Sequence, residues 1–255
     1  MSTRIRQGLV VCTLGGGLLL AGQVQAAQIL VSSNFNGSTS GWTLSSNSTN
    51  GTIGDTGTES TFTNDVSGNS IDLKDTSTTG NPYLQSSTLS FNPGEAGNPL
   101  QISFDVNLRA HSGAENCTMF LNGPISNTQA IILNVDDYMR EVSYTDSAGL
   151  VKTPTVLTID KWYHFTITAT PAGATPASWN MSIFDGTSTV TYSGLSYKNA
   201  VPSYNNVNFG FNNQQANTGA EYLIDNVQVQ TIPEPASLAL VAVGLGLMLW
   251  RRRTA

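Results

Sequence analysis

The chain has 255 residues but only two cysteines and two histidines. Cys12 lies in an apolar run near the N-terminus, which leaves Cys117 alone in the body of the chain. No intramolecular disulfide can staple that body, so it must be held by its core or by a metal. Cys117 reads as a small buried hydrophobe. His111 and His164 lack the spacing of clustered zinc ligands. His164 falls inside an alternating run and reads as a satisfied side chain, and His111 as a loop residue. Basic residues are also scarce. Arg4, Arg6, Arg251, Arg252 and Arg253 sit at the two ends, leaving six Lys/Arg against 16 Asp/Glu between Ala27 and Ile232. A body this acidic disfavours nucleic acid and anionic membrane surfaces as partners.

Catalytic patterns are missing as well. There is no Gly-x-Ser-x-Gly elbow and no phosphate-binding loop. Glycoside hydrolysis needs two carboxylates on one side of a bond. Asp136 and Asp137 are adjacent, so in a strand they would point to opposite faces and read better as a solvated turn. The body is therefore expected to be non-catalytic. No part of it carries a long apolar stripe of helical period.

What is present is alternation. Residues 102–108 (ISFDVNL), 162–168 (WYHFTIT), 179–184 (WNMSIF), 207–211 (VNFGF) and 223–229 (LIDNVQV) place apolar or aromatic residues at every second position. That period buries one face of a strand and leaves the other to solvent. Residues 131–135 (IILNV) also read as a strand. Asn122-Gly123-Pro124, Ser147-Ala148-Gly149, Pro171-Ala172-Gly173 and Asp185-Gly186 supply turns between them. Asp185-Gly186 predicts a hairpin between 179–184 and 189–192. Many short strands with turns between them predict an all-β sandwich or barrel. Residues 38–65 are rich in Ser, Thr, Gly and Asn and read as a long loop or a pair of edge strands.

The two ends have a different character. Arg4 and Arg6 precede an apolar run from Leu9 to Ala21, and Val24-Gln25-Ala26 closes it. A basic start, an apolar centre and small residues before the cut predict a secretory signal peptide over 1–26, cleaved before Ala27. At the other end, Pro233-Glu234-Pro235 precedes an uncharged apolar stretch at about 236–250, followed by Arg251, Arg252 and Arg253. As a helix this stretch reaches roughly 22 Å, short of a hydrocarbon core of about 30 Å. The arginines can snorkel to the interface and hold the extreme C-terminus in the cytoplasm. The domain organisation is thus a signal peptide at 1–26, a folded body at 27–232 and a tail at 233–255.

The tail resembles the PEP-CTERM protein-sorting signal of Gram-negative bacteria in motif, order and position. The resemblance implies export, anchoring in the inner membrane through the apolar helix, and processing by an exosortase-type enzyme. It further implies final delivery to the cell surface or extracellular matrix.

Three features of the body resemble jelly-roll domains of the concanavalin A-like, laminin-G-like or carbohydrate-binding-module type. They are Asn34-Phe35-Asn36-Gly37 with Gly41-Trp42, then residues 160–167 followed by 179–184, then Tyr222-Leu223-Ile224-Asp225-Asn226-Val227. The resemblance implies a jelly-roll β-sandwich whose first and last strands lie together, with Phe35 and Ile224 in its core. It implies a structural Ca²⁺ at Asp225, although Asn36 stands where such sites carry an acidic partner. It also implies association with glycans such as exopolysaccharide. Trp42, Tyr83, Tyr138, Tyr144 and Tyr204 are the aromatics that could stack on a sugar ring, with Trp42 foremost. Trp162 and Trp179 read as packing residues. A structural matrix protein without a ligand and a polysaccharide-active enzyme are the alternatives.

Overall fold

Each alternating run forms a strand, and turn residues set the ends. The computed structural model describes residues 27–35, 40–44, 51–52, 70–74, 83–91, 97–110, 116–125, 128–136, 139–171, 178–212 and 220–232. The proposed signal peptide and the tail from Pro233 onward lie outside these residues, as do Asn36, His111, Asp137 and Tyr138.

The described strands are all paired antiparallel, in two sheets. The first sheet joins β1 (Ile29–Ser33), β3 (Gly51–Thr52), β4 (Ile71–Lys74), β6 (Leu100–Ala110), β11 (Trp162–Ala169), β12 (Trp179–Phe184), β13 (Thr189–Leu195) and β15 (Glu221–Thr231). Its order is β13-β12-β11-β6-β15-β4-β3, with β1 also on β15. The second sheet joins β2 (Trp42–Leu44), β5 (Tyr83–Ser86), β7 (Asn116–Asn122), β8 (Gln129–Asp136), β9 (Glu141–Asp146), β10 (Gly149–Val156) and β14 (Asn206–Asn212). Its order is β10-β9-β8-β7-β14-β5-β2. No helix occurs among the described residues, and the architecture is a jelly-roll sandwich.

First and last strands meet as expected. Ser33 pairs with Val227 and Val31 with Val229. Phe35 and Ile224 are both buried. The inward faces interlock through aromatics. Phe104 stacks on Phe165 at 5.2 Å within the first sheet and meets Phe209 of the second edge-on at 5.0 Å. Phe211 meets Tyr222 at 5.2 Å, and the Tyr222 hydroxyl donates to the Gly210 carbonyl at 2.8 Å. Each aromatic pair of this kind contributes about 0.5–1.5 kcal/mol beyond its burial. Cys117 is buried, as its sequence context implied.

The hairpin at Asp185-Gly186 forms between β12 and β13. Asp185 Oδ1 accepts the amides of Ser188 at 2.7 Å and Thr187 at 2.9 Å, and Gly186 has φ +92°. These donated hydrogens, with Lys161 beside them, hold the Asp185 carboxyl well below the usual carboxylate range.

Register shifts interrupt the alternation at several places, and one of them lies between β6 and β15 at the carboxylates. Asp225 pairs with Asp105 and Gln228 with Ser103, so β15 uses three steps where β6 uses two. The extra residue is Asn226, at φ +49°. This is a β-bulge, and Asn tolerates the left-handed backbone it needs. The bulge keeps Val227 and Val229 on the core side after Ile224.

Candidate functional site

The outward residues of the second sheet follow from register. Across β5, β14 and β7, Gln85 pairs with Asn208 and Asn208 with Phe120. One pair further on, Tyr83 faces Gly210, which faces Thr118. Gly210 has no side chain, so Tyr83 stands beside bare backbone, whereas Phe120 stands beside Asn208. β5 and β7 are two strand spacings apart, roughly 10 Å.

Tyr83, Gln85, Phe120 and Asn208 are part of a groove of about 460 Å³. Tyr83 and Phe120 supply its rings, and Gln85, Asn122, Gln129, Asn205, Asn206 and Asn208 its amides. Gly123, Pro124 and Ile125, in the turn after β7, form a wall, with Ile125 largely exposed. The wall is tied down. Gly123 N donates to Thr128 O at 2.7 Å, Asn205 N to Asn122 O at 2.8 Å, and Asn199 Nδ2 to Gln129 O at 2.8 Å. Any Cβ at Gly123 would stand 2.7 Å from Val201 Cγ1, so glycine lets the turn seat against that segment.

The amides are held in place by one another. Asn122 Nδ2 donates to Asn206 Oδ1 at 2.7 Å, and Lys198 Nζ to Gln129 Oε1 at 2.8 Å. Asn208 Oδ1 is buried and finds no hydrogen-bond partner among the described residues. An unpaired buried acceptor is costly. None of the described residues lining the groove is Asp, Glu, Lys, Arg or His.

Of the aromatics put forward from sequence, Tyr83 lies in the groove. Trp42 does not, and that expectation is corrected. It is 8% exposed and points into the core, 5.8 Å from Phe35 and 6.0 Å from Phe209. The Gly-Trp context suggested a rim, but β2 pairs Trp42 with the inward Ser86. Tyr144 packs edge-on against Trp179 at 5.3 Å. Tyr204 is buried, with its hydroxyl 2.9 Å from that of Tyr197, and burial pushes its pKa far up. Phe120 and the amide set were not singled out from sequence. The alternation of Asn206 and Asn208 with Val207 and Phe209 was the available signal.

The outer face of the first sheet differs. Asp105 and Asp225 sit side by side on neighbouring strands, each 1% exposed. His164 Nδ1 lies 2.6 Å from Asp105 Oδ1, and Asn226 Nδ2 donates to Asp105 Oδ2 at 2.8 Å. Asp225 Oδ1 accepts the Asn226 amide at 2.7 Å. Calcium takes six to eight oxygen ligands. Among the described residues no group of three or more His, Cys, Asp or Glu side chains gathers to hold a metal. Nearby, burial and then Glu221 raise the Asp72 carboxyl to about 6.

With this geometry in hand, likeness to known proteins divides the chain in two. Residues 231–253 match the PEP-CTERM protein-sorting motif, so the chain carries a signal for export and surface sorting. The match begins inside β15, at Thr231, and takes in all three arginines. The body is similar in fold to carbohydrate-binding jelly rolls. A module described as the CBM2 of the evolved Dit of Lactobacillus casei BL23 phage J-1 matches at TM-score 0.54 and 15% identity, over 82% of this chain and 97% of its own. Peanut lectin matches at 0.55 and 11%, over 83% and 100%. A carbohydrate esterase, vb_24B_21 of the Shiga toxin-encoding bacteriophage phi24B, matches at 0.51 and 12%, over 81% and 99%. No curated protein sequence matches. At such identities the likeness defines a fold shared mostly by lectins and binding modules, and by some enzymes. Among the described residues no helix is long and apolar enough to cross a membrane.

Proposed function

We propose that this is an exported, non-catalytic glycan-binding protein whose site is the groove on the outer face of the seven-stranded sheet. One observation carries the reading. Tyr83 and Phe120 line one groove together with six amide side chains. Rings stack on the apolar faces of sugars, and amides both donate to and accept from hydroxyls. The lining offers no carboxylate pair for hydrolysis, which favours binding over turnover.

The rest of the proposal concerns delivery. Residues 1–26 act as the secretory signal and 27–232 as the exported body. The segment at about 236–250 holds the chain in the inner membrane until an exosortase-type enzyme acts at Pro233-Glu234-Pro235. The body then joins the cell surface or a polysaccharide matrix. A calcium ion at Asp225 would draw on carbonyl, amide or water oxygens beside that carboxylate. A melting midpoint unchanged by EDTA would remove that proposal.

Affinity electrophoresis of the purified full-length chain through a polysaccharide panel tests the site. Retardation by at least one glycan, lost in Tyr83→Ala, is the expected result. Retardation by none would leave a structural matrix role. Hydrolysis of any panel member, lost on a single carboxylate substitution, would make the protein an enzyme.

A further inference from the structure

We infer that the groove takes a neutral, hydroxyl-rich polysaccharide and rejects uronate- or sulfate-bearing chains, a specificity that rests on reading the groove as a glycan site. The lining residues carry no cation to meet an anionic sugar. Lys198 is the cation bonded to a lining residue among the described residues, and its ammonium is engaged by Gln129 Oε1 at 2.8 Å. An unpaired carboxylate or sulfate lowered onto this surface would lose its water without gaining a counter-charge.

Hydrogen-bond polarity argues the same way. Asn208 Oδ1 is a sequestered acceptor without a partner among the described residues, and it faces Phe120 on one side and Gln85 on the other. Reaching it takes a rotation of the Asn208 amide, after which a sugar hydroxyl can donate to it. A carboxylate or sulfate oxygen is an acceptor only and would set two lone-pair atoms against each other. Longer-range charge adds to the local mismatch. The body between Ala27 and Ile232 has six Lys/Arg against 16 Asp/Glu and repels a polyanion before contact.

The two halves of this argument respond differently to salt. Body-wide repulsion fades as the Debye length falls from about 10 Å at 0.1 M to about 3 Å at 1 M. Exclusion at the groove itself is local and persists. Binding of a neutral glycan should be indifferent to salt, because no ion pair is made.

The experiment measures binding of the full-length chain to dextran, mannan and mixed-linkage β-glucan, and to alginate and chondroitin sulfate, at 0.1 M and 1 M NaCl. Asn208→Leu and Tyr83→Ala are measured beside the unaltered chain, with near-UV circular dichroism to check folding. The expected result is binding to at least one neutral glycan, changed less than twofold by salt, and weakened about tenfold or more in both variants. No binding to alginate or chondroitin sulfate is expected at either salt. Anionic glycans bound and lost in the variants would overturn the specificity while leaving the groove as the site. Neutral binding untouched by either variant, or no binding at all, would overturn the groove reading and the specificity with it. If Asn208→Leu does not fold, Asn208→Ser and Tyr83→Ala carry the same test.

Discussion

Both sheets turn polar side chains outward, but they treat them in opposite ways. On the seven-stranded sheet six neutral amides stand beside Tyr83 and Phe120 in a groove. On the eight-stranded sheet two carboxylates, Asp105 and Asp225, lie side by side and almost fully buried. One face offers hydrogen-bond capacity to a visitor. The other consumes it internally, through Asp105 with His164 and Asn226. Polarity alone therefore does not identify a binding face. What marks the groove is that rings stand beside its amides, since buried acceptors without a hydrogen-bond partner among the described residues occur on both sheets, Asn208 Oδ1 on one and Asp72 Oδ1 and Asn107 Oδ1 on the other.

The largest test of this contrast is Asp105→Ala. It strips partners from His164 and from the bulge residue Asn226, which sits at positive φ. Loss of about 3 kcal/mol is expected, in the range for breaking a buried network of charged groups. Urea unfolding reads it, and glycan binding by the folded fraction should be unchanged. A loss below about 1 kcal/mol would mean that this face is as idle as an ordinary surface.

Asp72→Asn should act in the opposite direction. The Asp72 carboxyl is raised from 3.8 to about 6 by burial and then by Glu221. A raised acid binds its proton more tightly in the folded state. Its stabilising contribution is therefore present below about pH 4 and lost as pH rises through about 6. At pH 7 the folded protein holds an ill-solvated carboxylate, and Asn removes that charge. A gain of about 1 kcal/mol is expected once solvent screening of a partly exposed group is allowed for. Melting of both proteins from pH 4 to pH 7.5 should show curves that diverge across pH 4–6. Parallel curves would remove Asp72 from the account.

Most of the scaffold was legible because strand alternation and turn chemistry are local. The strand runs and the Asp185-Gly186 hairpin appear where the sequence put them, and the pairing of first with last strand appears as the jelly-roll resemblance implied. The bulge at Asn226 was hidden, since a single extra residue looks like ordinary alternation until its partner strand is known. The groove was hidden for a related reason. Tyr83, Asn208 and Phe120 are far apart in sequence and become neighbours only through the order β5-β14-β7. Trp42 misled because composition around it, Gly and polar residues, describes the loop and not the direction in which the ring points.

Tyr83→Ala is the smallest effect on stability and the sharpest on the comparison. Tyr83 is 36% exposed and stands on the outward side of a short strand. Truncating it leaves no cavity in the core, so unfolding should change by no more than about 0.5 kcal/mol. Binding should fall about tenfold, or roughly 1.4 kcal/mol, if the ring is a stacking platform. Tyr83→Phe keeps the ring and should keep most of the affinity, whereas a site that relies on the phenolic hydroxyl would lose it in both variants. Asp105→Ala and Tyr83→Ala thus form a crossed pair, one moving stability without binding and the other binding without stability. If both variants moved both quantities, the two faces would not be separate in function, and the groove would owe its shape to the buried carboxylates on the far side of the sandwich.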